Sequence, residues 1–464
     1  MKKWQFNMIL LPLLFTASGC GMNRQTASME MLETETQAEE RENLVLWSYY
    51  ETRAQKEGLD YLVEEFNKSQ QQYELSWEYI PMQDYVKKLS SVVSENDLAD
   101  LILLDNPDMP SLIHSGFLED ITEQIPEKVM QDKYYPKVFD TVRSGDKIYG
   151  IPFSCNNTAI IYNKDMFDEA GLQEPETWEE FENAARTLTT QGEDGHYGFA
   201  MSAAAGEQGA FQFMPWLLAT GVDTQHMEDE CTREAFELID AMLADGSMPH
   251  ECLNYSQNDL TRMFLDGKAA MIENGPWAVP KLEESGIDYG ICPFPEHTKR
   301  GIVLGGENLA LIKGKNVSGG IEVINFCSRP EIIEHIGELT GNISPVIDNA
   351  ERFKQFYPQY GVFVDQMGHG ISRSDIPDWK KVCQALCDSL YQLFGSEHTT
   401  DQVFDAYVLT ISGQGSVVVY WAEEKRIYEK TQKHHTVTKG NSYPIDIYMS
   451  ADEPVSGICN SKQD

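Results

Sequence analysis

The sequence predicts an α/β fold of two lobes, each a mainly parallel sheet flanked by helices, and three observations carry that prediction. The chain has 464 residues, more than one compact core accommodates. Its first strong hydrophobic patterns read strand, helix, strand, helix, strand. A block from Tyr149 to Thr189 then opens a new series of strands and capped helices. At 41% hydrophobic and 11% aromatic, the chain can build real cores and is not of disordered composition.

Leu44–Trp47 is a continuous apolar run, as expected of a strand buried on both faces. Leu59, Leu62, Val63 and Phe66 form one helix face, Tyr73–Tyr79 alternates as a strand, and Tyr85, Leu89, Val92 and Val93 form a second helix face. Leu98–Leu104 is again a buried strand, ending in Asp105-Asn106-Pro107. This βαβαβ order implies parallel strands with right-handed crossovers. Ligands of such sheets sit beyond the carboxyl ends of the strands. Tyr49, Tyr50 and Glu51 follow one such end, and Asp105 and Asn106 the other.

The N-terminus has the order of an export signal. Lys2 and Lys3 precede an apolar run from Met8 to Phe15, then Thr16-Ala17-Ser18-Gly19-Cys20. The run is shorter than the ~20 residues that span a bilayer and is broken by Pro12. The small residues before Cys20 resemble a lipoprotein lipobox, with Ala17 where Leu is usual. That resemblance implies cleavage after residue 19 and a lipid anchor on Cys20. Residues 20–43 are acidic and aperiodic, and read as a flexible tether reaching roughly 25 Å.

In the Tyr149–Thr189 block, Ile148–Ile151 ends at Pro152, which cannot donate to a central ladder. Thr158–Tyr162 is a second strand. Asn163 caps a short helix that Gly171 closes. Thr177 and Glu180 form a capping box, and Phe181, Ala184, Ala185 and Leu188 share one face of the helix that follows. Helices are expected at Glu234–Leu243, Asn258–Phe264, Ile321–Cys327, Glu331–Leu339 and Thr400–Tyr407. Strands are expected at Ala269–Ile272, Tyr289–Cys292 and Leu309–Ile312.

The words YGIP…N…YNKD.F.EAGL..P.TWEEF…A..LT, then F..GKAAM.I..GPWA from Phe264 to Ala278, then Gly305-Gly306-Glu307-Asn308 stand in this order. Together they resemble the extracellular solute-binding proteins of carbohydrate ABC importers, the maltose-binding-protein-like family, over residues 43–407. The resemblance implies a type II periplasmic-binding-protein-like fold with a hinge of two or three crossovers, the third at Asn342–Val346. Residues 44–150 with 293–342 would form the first lobe, and 151–292 with 343–407 the second. Residues 408–464 match nothing in the family and read as an atypical tail.

The formal net charge of −38 argues against nucleic acid as a partner. No nucleophile elbow, phosphate loop or zinc-binding helix motif occurs, so no catalytic residue, cofactor or metal is assigned. Cys383 and Cys387 lie four residues apart on the stripe Trp379, Val382, Cys383, Leu386, Leu390 and Leu393, and read as buried small hydrophobes.

A sugar cleft needs carboxylates, amides and Arg for hydroxyls, and aromatic rings for pyranose faces. Besides the strand-end residues, the candidates are Asn156, Asn157, Gly306, Glu307 and Asn308, with Arg373 as a bidentate donor. Tyr49, Tyr50, Trp216, Trp277 and Trp379 are the stacking candidates, and Gly275 belongs to the word around Trp277. The resemblance implies a monomer that captures a carbohydrate and delivers it to ABC permease subunits at the outer face of the cell membrane. A polyamine, peptide or ferric-ion binder of the same fold, a secreted glycoside-active enzyme and a sensor subunit stay open as alternatives.

Overall fold

A computed structural model of the chain describes residues 41–413 except 82–83, 86–87, 89–97, 126–132, 193–194 and 396–397. The expected export signal, the tether up to residue 40, most of the Tyr85–Val93 helix and the tail beyond 413 lie outside the described residues.

Regular structure begins at Glu42, two residues before the apolar run. The strands are β1 Glu42–Ser48, β2 Tyr73–Tyr79, β3 Leu101–Asp105, β4 Arg143–Ser144, β5 Lys147–Ile148, β6 Gly150–Pro152 and β7 Ala159–Asn163. After them come β8 Tyr197–Ala200, β9 Ala269–Asn274, β10 Tyr289–Cys292, β11 Val303–Leu304, β12 Glu307–Leu311 and β13 Ile371–Ser372. One sheet has the order β2-β1-β3-β12-β6 and the other β10-β7-β9-β8. Pro152 ends β6 at the sheet edge, where its missing N–H breaks no ladder.

Each sheet is mainly parallel with one reversed strand. β1, β2, β3 and β6 share a direction, and β12 runs against its neighbours β3 and β6. In the other sheet β8, β9 and β10 share a direction, and β7 runs against its neighbours β9 and β10. The reason for the reversals is where the chain enters. Glu307 opens β12 opposite Asp105, the last residue of β3. Ala159 opens β7 opposite Asn274, the last residue of β9. A strand that enters a sheet at its neighbour's carboxyl end must run the other way.

Each sheet has its own core. Leu44, Leu46, Leu101–Leu104 and Leu309–Leu311 pack with Leu59, Leu62 and Phe66 of the helix Arg53–Ser69 and with Val323, Ile332 and Ile336. Thr52 caps that first helix, with Gln55 completing the box. The other sheet packs with Phe181, Ala184, Ala185 and Leu188 of the helix Trp178–Leu188, and with Trp216, Phe236, Phe264, Leu386 and Tyr407. Burying each such Leu or Phe contributes roughly 1.5–3 kcal/mol. The caps at Asn163, Gly171 and Thr177 form as the sequence dictates, Gly171 in the left-handed region at φ 67°.

Between the sheets, three segments lie side by side. Cys155 exchanges backbone hydrogen bonds with Ile343, and Asn156 with Gly305. A third apolar cluster, including Tyr135, Val138, Cys155, Leu304 and Ile343, packs around them. The chain therefore passes between the sheets through a short hydrogen-bonded ladder. No helix among the described residues is long and apolar enough to cross a membrane.

Candidate functional site

A cavity of about 170 Å³ opens where the two sheets' strand ends meet. From the first sheet come Tyr49, Glu51 and Asp105, with Gly306 and Asn156 from the crossing segments. The opposite wall holds Glu207, Phe211, Asn258 and Trp277, and Arg373 completes the lining.

Arg373 joins the walls. Its Nη1 and Nη2 donate to the two oxygens of Asp105 at 3.1 and 2.7 Å. Nη1 also donates to Glu207 at 2.6 Å. Its guanidinium carbon stands 4.6 Å from the centroid of the Phe211 ring, a cation–π distance. Trp379 Nε1 donates to the other Glu207 oxygen at 2.8 Å. Burial pushes the Asp105 carboxyl up to about 7, against the pull of Arg373. For Arg373, burial alone would lower the pKa, but Asp105 and Glu207 outweigh it and hold the guanidinium well above its ordinary value. Removing one member of such a buried pair costs about 3–5 kcal/mol, because the other is left unpaired. A second cross-cavity bond runs from Asn258 Nδ2 to Glu51 Oε1 at 3.1 Å.

Glu307 lies beneath the cavity. Tyr49 and Tyr50 donate their hydroxyls to it at 3.1 and 3.0 Å, and Ser154 Oγ makes a third hydrogen bond. Asn342 Nδ2 supports the Tyr50 oxygen at 3.0 Å. Burial raises the Glu307 carboxyl pKa, and the three hydroxyl donors oppose it.

Two glycines make room for these groups. A Cβ on Gly275 would stand 2.1 Å from the Trp277 ring, so only glycine lets the indole fold back toward the cavity. Gly306 has φ +129°, and a Cβ there would stand 2.3 Å from the Ser154 carbonyl oxygen.

Of the residues singled out from sequence, Tyr49, Glu51, Asp105, Asn156, Trp277, Gly306 and Arg373 line the cavity. Tyr50 and Glu307 form its floor, and Gly275 seats Trp277. Trp379 acts through Glu207. Four others are not brought to the cavity. Trp216 is fully buried in the second core and donates to Glu273 at 3.0 Å. Asn157 is spent on the Phe363 carbonyl and on Gln366. Asn308 pairs with Thr141 at 3.0 Å. Asn106 is buried, with no protein partner for its amide.

Glu207, Gln208, Phe211, Gln257 and Asn258 were not anticipated as lining residues. Helical period carried a usable signal. Phe211 stands four residues after Glu207 and shares its face, whereas Trp216 is nine residues on and points to the opposite side.

Among the described residues, no group of three or more His, Cys, Asp or Glu side chains could hold a metal ion. Cys383 and Cys387 are free thiols, Cys383 buried in the core as its stripe implies.

The cleft sets carboxylates, amides, a guanidinium and an indole on facing walls, and comparison with known sequences says to which family such a chain belongs. The chain belongs to the bacterial extracellular solute-binding protein family, whose model matches residues 51–331. It is 25% identical over 234 residues to a putative binding protein of Brucella abortus, covering 48% of this chain and 55% of that one. The chain thus spans about half the length of the first curated relatives it matches. It is 22% identical over 331 residues to the multiple sugar-binding protein of Streptococcus mutans, covering 67% of this chain and 76% of that protein. The tagatose-bound ABC transporter solute-binding protein of Thermotoga lettingae superposes with a TM-score of 0.71 at 20% identity, over 79% of this chain and 98% of that one. That likeness shows the two-lobed binding-protein fold.

Proposed function

We propose that this protein is the extracytoplasmic substrate-binding component of an ABC importer, and that it captures a carbohydrate, an oligosaccharide in particular, between two lobes. The observation that carries this reading is the cavity itself. Both sheets wall it, and it combines an indole face at Trp277 with carboxylates, amides and a guanidinium, the groups that hold sugar rings and hydroxyls. The multiple sugar-binding relative supports the ligand class. Each lobe is built on one sheet, and the ladder at Cys155, Gly305 and Ile343 acts as the hinge. The sugar contacts both walls only when they close, and that differential contact drives closure. No chemical step is needed. Cys20 carries a lipid that tethers the protein outside the cell membrane, and the permease subunits receive the closed form.

A thermal-shift screen of mono- and oligosaccharides on the mature chain tests the reading, since a ligand of the native state raises the melting temperature. The expected result is a shift with a carbohydrate that is reduced at least tenfold in apparent affinity by Trp277→Ala. A shift produced by a polyamine or a metal ion, with none from any carbohydrate, would overturn it.

A further inference from the structure

We infer that the cavity takes a sugar without negative charge, offering Glu51 to a hydroxyl or an amine, and turns away sugars that carry a carboxylate or phosphate. This deepens the reading above and rests on the same cavity being the ligand site.

Among the described residues, the charged lining consists of three carboxylates, Glu51, Asp105 and Glu207, against one guanidinium, Arg373. That guanidinium is already committed. Both Nη1 hydrogens go to Asp105 and Glu207, and Nη2 gives one to Asp105. Phe211 stands against its face, and Nε, which has no hydrogen-bond partner, is buried from solvent. The Nη1–Nη2 fork that would grip an incoming carboxylate or phosphate is therefore filled from within the protein. Arg373 carries the one positive charge against Asp105 and Glu207, so with Glu51 the cavity stays negative even where Asp105 holds its proton.

Glu51 is different. It is exposed, and its cross-cavity contact is one neutral amide, Asn258. It forms no ion pair with Arg373 or any other described cation that lines the cavity. Beneath the lining, Glu307 adds another carboxyl held only by neutral donors.

Two helix starts border the cavity, and helix N-termini ordinarily attract anions. The helix Glu207–Ala219 has no side-chain cap, but its first residue is itself a carboxylate, whose charge offsets that of the helix start. At the helix Gln257–Leu265, Gln257 N–H donates to Gln208 Oε1 at 3.1 Å, and Asp259 N–H to the Ser256 cap. The first start is thus offset by its own carboxylate and the second is capped. At cavity distances and partial burial, an uncompensated like charge opposes binding by on the order of a hundredfold or more.

Trp277 lines the cavity and can report its charge without any sugar. Fluorescence quenching of the full mature chain, minus that of Trp277→Phe, isolates this indole, and acrylamide measures its plain accessibility. Caesium is expected to quench the Trp277 component several-fold more effectively than iodide, relative to acrylamide. Glu51→Gln, which removes the charge and keeps an acceptor for Asn258, is expected to narrow that gap, and Glu207→Gln to narrow it further. Iodide quenching equal to that of caesium would overturn the inference, as would a gap that neither variant changes, since it would then reflect the acidic surface at large. A parallel thermal-shift series uses glucose-based oligosaccharides, glucosamine oligomers, oligogalacturonate and glucose 6-phosphate. A shift by either anionic sugar matching that of a neutral one would also overturn it. If caesium wins and only a non-sugar amine such as spermidine shifts the protein, the sugar reading falls while the charge selection stands.

Discussion

Asp105 and Glu307 face each other across the β3–β12 ladder, yet they are satisfied in opposite ways. Glu307 is held by hydroxyls from Tyr49, Tyr50 and Ser154, all on strand ends and crossing segments next to its own sheet. Asp105 is held by a guanidinium that also grips Glu207, at the start of a helix packed in the other core. The first arrangement stays on one side of the cavity. The second joins the two walls, so its strength depends on how they are placed.

The sharpest way to break this contrast is Arg373→Met. It leaves Asp105 and Glu207 buried beside one another without a cation, and the expected loss is about 3–5 kcal/mol of stability in urea unfolding. A loss under about 1 kcal/mol would mean that the pair joins nothing of consequence. Glu307→Gln keeps one acceptor oxygen and a neutral floor, and is expected to cost about 1–2 kcal/mol. A larger loss than for Arg373→Met would invert the comparison.

A smaller effect, which the two share, is read by pH. Burial raises Asp105 to about 7 and Asp108 to about 6, and Glu307 also shifts upward. The folded state therefore holds more protons than the unfolded chain across this window. These carboxyls stabilise the fold fully below about pH 4, their ordinary range, and that contribution fades as pH rises through 6 to 7. The melting temperature is expected to fall between pH 5 and pH 7.5, and Asp108→Asn to flatten part of that slope. A melting temperature that rises over this range would contradict the assignment.

The first-sheet wall was readable because it needs only local rules. Apolar runs mark strands, and Asp105 and Glu51 follow strand ends where a βαβ sheet opens. The second wall rests on helices, where a residue's side matters as much as its place. Trp216 looked like a stacking ring and proved to be a core residue, nine positions round from Glu207. Asn157 and Asn308 stand next to site residues in sequence, but their amides are consumed by Phe363, Gln366 and Thr141. The one reversed strand in each sheet, β12 and β7, was not legible for a related reason. Apolar runs identify buried strands without revealing from which end the chain enters.

By itself, the sequence determined the caps at Asn163 and Thr177, the turn at Gly171, the apolar faces and the family, because each depends on residues a few positions apart. The tertiary structure decided which charges meet. Arg373 and Asp105 are 268 positions apart, and no local pattern says that the Arg373 guanidinium pairs with carboxylates of both walls. That pairing depends on where two cores place three crossing segments, and it leaves the cleft acidic.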